Sequence, residues 1–467
     1  MMFKIAFRNI FRNARRSIMT ILAIAIGAAA MLVFGAYSQY DLYVLQTSTV
    51  ARTGHLQVYR KGFFDFGSGN PAIWGMDDYK NVLRLIKTDP VLAPMIAVAT
   101  PVQFLTGIAG NPVNDESKTF FATGFIPSDL ARMKLWDEYG ARGDSASAED
   151  LADNDPTLGV IGIGFARILG LCAPLHVSGC PKLPVGKPAQ TSAADLSTLP
   201  RQDFSALSTA DAPTTPAQAG PPTINLLSST AGGAPNIVNL KIRHVEYQAA
   251  REMDDNYIAM HLAQAQQLVY GRGEHKVSAI ILQLHRTEDI PAGRARLADL
   301  FAQHRLDLDA HDFFEINSFY GQAEGFFSAV FSFIAVIMGV VVLFTVSNAM
   351  SMSVVERTDE IGTTRALGVR RSGIRTQFLL EGGMLGILGA TLGVTLAFAA
   401  TMAVNNSGLT WTPPGDSHPI ALKLYLTGAT QLIVTVWLVL TGVATIAAFL
   451  PANRAARLAV VDALRHV

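Results

Sequence analysis

The chain has 467 residues, half of them apolar, and its Lys+Arg and Asp+Glu are matched at 37 each. That balance lacks the basic excess of a nucleic-acid binder, and two cysteines exclude a disulfide framework or a cysteine-rich zinc module. With 16% charged residues the composition points towards a membrane, and the length allows about two to four domains.

The first 16 residues are basic and patterned. Phe3, Phe7, Ile10, Phe11 and Ala14 fall on one helical face, and Lys4, Arg8, Arg12 and Arg15 on another. This is the pattern of a helix lying beside anionic headgroups. From Ser17 to Tyr40 there is then no Asp, Glu, Lys or Arg. Three more such windows follow, Gly325 to Val355, Gly382 to Gly415 and Leu424 to Asn453. Each holds the roughly 20 residues that a spanning helix needs. Spans are therefore predicted at 17–38, 328–351, 379–403 and 429–450, the third taking in Glu381 at its edge, where it can reach headgroups. The first window reads as an uncleaved anchor, because its apolar run exceeds the ~7–15 residues of a signal peptide and no small-x-small site follows.

Between the first two spans, 39–324 form one or two folded domains. Gly54 to Tyr59 alternates like a strand, and Asp77 to Thr88 has helical apolar spacing behind an Asp cap. Val277 to Leu284 reads as a buried strand and Ile290 to Gln303 as the helix after it. The intervening stretch 181–235, rich in Pro, Ala, Ser, Thr and Gly, is expected to be a flexible insertion, with a partner-binding arm as the alternative. Cys172 and Cys180 flank a turn-prone stretch and are candidates for a local disulfide, two unpaired thiols being the other reading. His304, Asp307, Asp309, His311 and Asp312 form the densest polar cluster, read as a solvated loop or strand edge and not as a metal site.

Charge is sorted along the chain. The N-terminal segment, the loop after span two and the C-terminal tail hold 13 basic residues against Glu356, Asp359, Glu360 and Asp462. Residues 39–324 hold 23 basic and 31 acidic residues. The positive-inside rule then puts both termini and the 352–378 loop in the cytoplasm and 39–324 outside, with 404–428 a short external loop. The fold expected is an α-helical membrane protein with four transmembrane helices and a large α/β extracytoplasmic domain inserted between helices 1 and 2.

The loop from Val355 to Arg375 holds a short mixed-charge helix ended by Gly368. Glu356 and Glu360, four apart, share a face, and Ile361, Ala366 and Leu367 give it a small apolar surface suited to another protein's groove. Gly382, Gly386, Gly389 and Gly393 in span three make two small-x-x-x-small pairs that permit close helix packing, mere tolerance of glycine being the bland alternative. The tail from Pro451 to Arg465, within 451–467, reads as a second basic amphipathic helix.

Sequence motifs for chemistry are missing. Gly186-Lys187 is followed by Pro188 where a phosphate-binding loop needs a hydroxyl, and neither His-Glu-x-x-His nor Gly-x-Ser-x-Gly occurs. The uncharged windows disfavour an ion-coupled transporter. The chain is therefore expected not to be an enzyme and to hold no cofactor or metal.

Three stretches carry a resemblance. They are the opening with Ala6, Arg8, Asn9, Arg12, Asn13 and Arg16, the loop from Glu356 to Gly368, and the tail from Pro451 to Arg457. Together they resemble the permease subunits of the FtsX/MacB/LolCE group of ABC transporters. The similarity extends to the order of one span, a large outside domain, then three spans, but the 181–235 insertion is not part of that pattern. The resemblance implies mechanotransmission: a cytoplasmic ATPase dimer, carrying ATP and Mg, closes on the loop, and the spans shift the external domains. Glu356, Arg357, Glu360, Ile361, Gly362, Arg365, Ala366, Leu367 and Gly368 would be the ATPase-coupling residues. It implies an inner-membrane, multi-pass protein with a second permease copy or paralogue. The substrate would be a lipoprotein or another lipid-linked or amphipathic molecule, since the Gly-His-Leu-Gln-Val-Tyr stretch after span one looks closest to the lipoprotein-release permeases. Efflux with a periplasmic adaptor, signalling to periplasmic hydrolases, and a membrane-anchored sensor or scaffold are the alternatives.

Overall fold

A computed structural model describes residues 8, 12, 14–67, 71–141, 151–177, 220–248, 251–271, 273, 275–412 and 420–458. They fall into two units, one of long helices (through Gln46, Asn317–Thr412 and from Pro419) and one of mixed α/β structure (chiefly Thr47–Ile316).

The helical unit is built on Ala14–Thr53, Ser318–Glu356, Arg371–Ser407 and Thr430–Ala447, the last followed by a short helix Phe449–Arg457. All four are long and apolar enough to cross a membrane, judged by length and composition. The first three overrun the predicted spans, whereas Thr430–Ala447 falls within the predicted 429–450. No Gly or Pro interrupts Ala36 to Thr53, so the first helix runs 40 residues, about 60 Å, until Gly54 at φ +66 ends it. The second starts at Ser318, inside the stretch expected to be external, and the third at Arg371. The terminal helix starts at Phe449, with Pro451 in its first turn, where a missing N–H costs nothing.

Each long helix buries a stripe at helical spacing. Ile24, Ala28, Leu32 and Ala36 of the first meet Val342, Val346, Met350 and Val354 of the second and Val436, Leu440, Ala444 and Ala447 of the fourth in one core. The opposite side of the second helix stays apolar and exposed, at Phe326, Phe333, Val336 and Phe344. A helix apolar all round fits lipid better than water.

The α/β unit contains a nine-stranded sheet, ordered β3-β7-β4-β6-β5-β2-β8-β1-β9, with β3 also paired to β2. The strands are β1 Leu56–Arg60, β2 Ile96–Gly110, β3 Ser117–Phe125, β4 Leu158–Gly162, β5 Thr223–Ser229, β6 Pro235–Glu246, β7 Tyr257–His261, β8 Ala279–Leu284 and β9 Leu308–Asp312. The extra pairing closes β2-β3-β7-β4-β6-β5 into a ring. The 15-residue β2 serves both halves: Val98–Val102 pair with β8, and Gln103–Gly110 with β3. Side chains from all six ring strands, Leu105, Phe120, Ile161, Leu226, Leu240 and Ile258 among them, share a core with Phe165 and Leu268 of two helices. Wholly buried β8 lies between β2 and β1.

The predicted strand at 54–59 is β1, the helix behind Asp77 begins at Tyr79, and the Ile290–Gln303 helix has the expected bounds. Asp78 precedes the second of these without a side-chain cap bond. One expectation is corrected. Residues 220–235 are not a flexible insertion: β5 alternates buried and exposed residues from Ile224 to Ser229 and pairs with β2 and β6. The short Ile-Asn-Leu-Leu run was hidden by Pro, Ser and Thr around it. The rest of the expected insertion, 181–219, lies outside the described residues, as do Phe3, Lys4, Phe7, Ile10, Phe11 and 459–467. Thr410–Trp411 pair with Ile420–Ala421 within the expected external loop, a small hairpin that composition did not signal.

Candidate functional site

The loop between the second and third long helices is a helix, Thr358–Ala366, ended by Gly368 at φ +94, a backbone state that glycine takes without strain. Its predicted residues divide between two roles. Ile361 and Gly362 are buried, Ile361 within the helical core. Ala366, Leu367 and Gly368 are exposed, and Leu367 is 83% exposed. The apolar surface expected to dock elsewhere is thus smaller than the sequence suggested, because Ile361 turns inward to fill the helical core. What remains is a tip.

The charged residues are held within the chain. Glu356 closes the second long helix and accepts a two-pronged bond from Arg16, at 2.6 and 2.9 Å. Glu360 accepts from Arg12, with an ion-pair distance of 2.6 Å, and from Arg357 Nε at 3.2 Å. The Arg12 guanidinium holds the Glu360 carboxyl below the ordinary glutamate range, with Arg357 adding to the effect. Arg12 and Glu360 are both about half exposed (49% and 48%), so this single pair contributes about 0–1 kcal/mol.

Arg357 differs. Its Nη1 lies 2.9 Å and 3.0 Å from the two carboxylate oxygens of Glu381, and the two side chains are 8% and 5% exposed. The guanidinium carbon also lies 5.3 Å from the centre of the Phe378 ring. Glu381 therefore does not reach for headgroups: it is buried inside the helical unit, because Arg357 supplies the opposite charge that burial demands. Arg365 donates to the carbonyl oxygens of Ala456, at 3.4 Å, and of Leu458, at the end of the terminal helix. Cations at a helix C-terminus complement its exposed carbonyls. The loop helix is anchored on three sides.

All four predicted glycines sit where a side chain has no room. A Cβ on Gly386 would lie 2.9 Å from Ala444 Cβ, and one on Gly382 would collide with Ala448. A Cβ on Gly389 would lie 2.6 Å from Ile24 Cβ, and one on Gly393 would collide with Ala28. One stripe of the third helix thus packs first on the fourth helix and then on the first. Close packing, and not tolerance, explains it.

In the α/β unit, Cys172 is disulfide-bonded, while its expected partner Cys180 lies outside the described residues. His311 and Asp309 stand on β9, at the edge of the sheet. His311 Nδ1 is 2.9 Å from Glu315, which also binds Arg294 at 2.6 Å. Among the described residues no three His, Cys, Asp or Glu side chains converge as a metal group. The sequence reading missed Arg12, Arg16 and Glu381 as partners of the loop. The matched four-residue spacing of Arg12/Arg16 and Glu356/Glu360 was a readable signal for two of them.

Residues 331–460, which include the loop helix, Glu381 and all four glycines, match the FtsX-like permease C-terminal family. Over 136 residues the chain is 36% identical to the ABC transporter permease YtrF of Bacillus subtilis (strain 168), covering 28% of this chain and 30% of that protein. Over 133 residues it is 38% identical to the macrolide export ATP-binding/permease protein MacB of Psychrobacter cryohalolentis, covering 28% of this chain and 18% of that protein. The MacB of a Shewanella species is 32% identical over 200 residues, 41% of this chain and 28% of that protein. The matches thus span less than a third of each curated relative. The extracellular domain of the noncanonic ABC-type transporter YknZ, a solved structure from Gram-positive bacteria, aligns over 56% of this chain at 12% identity. All of that domain is covered, but the TM-score of 0.29 is too low to bear on the fold.

Proposed function

We propose that this chain, whose residues 331–460 match the FtsX-like permease C-terminal family, is an ABC transporter permease of the FtsX/MacB type that converts ATP hydrolysis by a separate cytoplasmic ATPase dimer into movement of its α/β unit outside the membrane. The observation that carries this reading is the loop helix, which is braced by ion pairs at its start and bare at its Ala366–Leu367 tip. A rigid lever with an exposed apolar end suits docking in a groove of a motor subunit. ATP and Mg belong to the partner.

The four long helices cross the inner membrane with both termini in the cytoplasm. The sorting of basic residues to the termini and loop supports that orientation. A second permease copy or paralogue completes the complex. The cargo is an amphipathic or lipid-linked molecule, a lipoprotein being the leading candidate. Efflux with a periplasmic adaptor is the second reading, compatible with relatives named for macrolide export.

The test is reconstitution in nanodiscs with a candidate partner ABC ATPase. ATP turnover should rise when the permease is present, and single cysteines at Ser145 and Ser407, but not Thr363, should react with an impermeant thiol reagent in cells whose outer membrane is permeable. Turnover indifferent to the permease sinks the motor reading. Inverted labelling sinks the orientation. Release of a radiolabelled lipoprotein from spheroplasts, set against drug sensitivity of a deletion strain, separates the two cargo classes.

A further inference from the structure

Glu356 and Glu360 lie on either side of a joint. Glu356 is the last residue of the second long helix, Arg357 breaks the helical path at φ −113 and ψ 22, and Glu360 sits in the first turn of the loop helix. Arg16 holds the carboxylate before the break and Arg12 the one after it. The two arginines are four apart and so are the two glutamates, which makes an antiparallel ladder of two rungs across the joint. On the inner side, Arg357 binds Glu360 and the buried Glu381 of the third long helix. A joint bonded on both sides cannot swing while the rungs hold.

We propose that Arg12 and Arg16 are positioning residues of the coupling site: through Glu360 and Glu356 they lock the loop helix to the basic start of the first long helix, so that an ATPase pressing the loop moves the first and second helices as one body. The inference rests on the motor reading above and deepens it. It also reassigns the two glutamates, which the resemblance treats as ATPase contacts, to a brace within the chain. The docking itself falls to the exposed tip. Two rungs matter because each alone is weak at the surface. Together they tie the residue before the joint and the residue after it to the same N-terminal segment, which one pair alone does not.

The test is a charge-swap cycle in nanodiscs with the partner ATPase. Arg16→Glu and Glu356→Arg, made singly, should each lower permease-stimulated turnover about fivefold or more, the factor that corresponds to roughly one lost interaction. The double swap should return it to within about twofold of wild type, as expected of a direct pair. Melting of the chain alone should show the same rescue, which reports the pair independently of any motor.

A purely static role is separated by joining Arg12→Cys to Glu360→Cys with a short bismaleimide, Cys172 being already disulfide-bonded. If the two elements move together, the cross-linked complex keeps its stimulated turnover relative to singly substituted controls treated alike. A double swap no better than the worse single, or a cross-link that abolishes turnover, overturns the proposal. If the wild type stimulates no ATPase, the motor reading fails first. If wild type and both single reversals stimulate equally, only this inference fails.

Discussion

Arg357 and Glu381 are 24 positions apart in the chain, yet the guanidinium Nη1 reaches both carboxylate oxygens at 2.9 and 3.0 Å in a site closed to solvent. The pair joins the loop to the third long helix, and its energetics are lopsided. Two buried charges recover little more than their desolvation cost, but removing one strands the other.

The first prediction follows from that asymmetry. Arg357→Ala or Glu381→Ala alone should destabilise the helical unit by about 3–5 kcal/mol. Arg357→Met with Glu381→Leu should come within about 1–2 kcal/mol of wild type, because an apolar pair of similar volume has no charge to bury. Thermal unfolding in nanodiscs reads both. Equal losses for the single and double changes would mean that the pair is not coupled.

Packing supplies the second. Gly389→Ala and Gly386→Ala place a methyl 2.6 Å from Ile24 Cβ and 2.9 Å from Ala444 Cβ, and each should cost about 1–3 kcal/mol through overpacking. Gly442→Ala, in the fourth long helix, meets nothing within 4 Å and should be neutral or slightly stabilising from helix propensity. A similar loss at Gly442 and Gly389 would show that backbone flexibility, not close approach, is the reason for these glycines.

The α/β unit should lose stability with acid in two windows that overlap only at their shared edge. His55 is fully buried, its Nδ1 accepts from the Leu284 N–H at 2.9 Å, and its ring stands edge-on to Trp136 at 4.9 Å. Burial pushes its pKa down to about 3, whereas an unfolded histidine titrates near ~6.5. Between those values the unfolded chain binds a proton that the folded chain refuses. Stability is therefore full above ~6.5 and falls towards about 3, by at most ~1.4 kcal/mol per pH unit. The Arg296 guanidinium, helped by the Leu92 and Val91 amides, holds Asp89 at about 2. Its contribution is present above the unfolded value of ~3.9 and disappears as pH drops to about 2. Denaturant midpoints against pH should lose the upper slope in His55→Asn and keep the lower. An unchanged upper slope would exclude His55 as its source.

These predictions separate what was legible in the sequence from what was not. The four long apolar windows were legible because desolvation leaves its mark on composition, and the helix from Ile290 to Gln303 because its periodicity is local. Helix ends were not, since nothing in Gln39–Thr53 forbids helix and only Gly54 stops it. The ring depends on β2 pairing with β3, β5 and β8 along one strand, a matter of register between distant segments. Within the site, the loop's residues were readable as a group, but which charges faced inward was not. Glu381 looked peripheral because its pairing with Arg357 is a property of packing, and Ile361 looked like docking surface until the core claimed it.

The last prediction concerns the residue that the core did not claim. Leu367 ends the loop helix at 83% exposure, just before Gly368 turns the chain at φ +94. A large apolar side chain so placed loses nothing in the isolated chain when it is cut back, so Leu367→Ala should melt within about 0.5 kcal/mol of wild type. If the tip fills a pocket on the ATPase, the same change should weaken the complex by about 1–3 kcal/mol, and Leu367→Glu by more, since a carboxylate would be forced into an apolar groove. Glu360→Lys should also impair coupling, but by another route. It faces Arg12 and Arg357 with a like charge and so should lower the melting temperature of the chain alone. Stability and co-purification measured side by side distinguish a docking residue from a bracing one. Should Leu367→Glu leave both assembly and stimulated turnover at the wild-type level, the exposed tip is not where the motor binds.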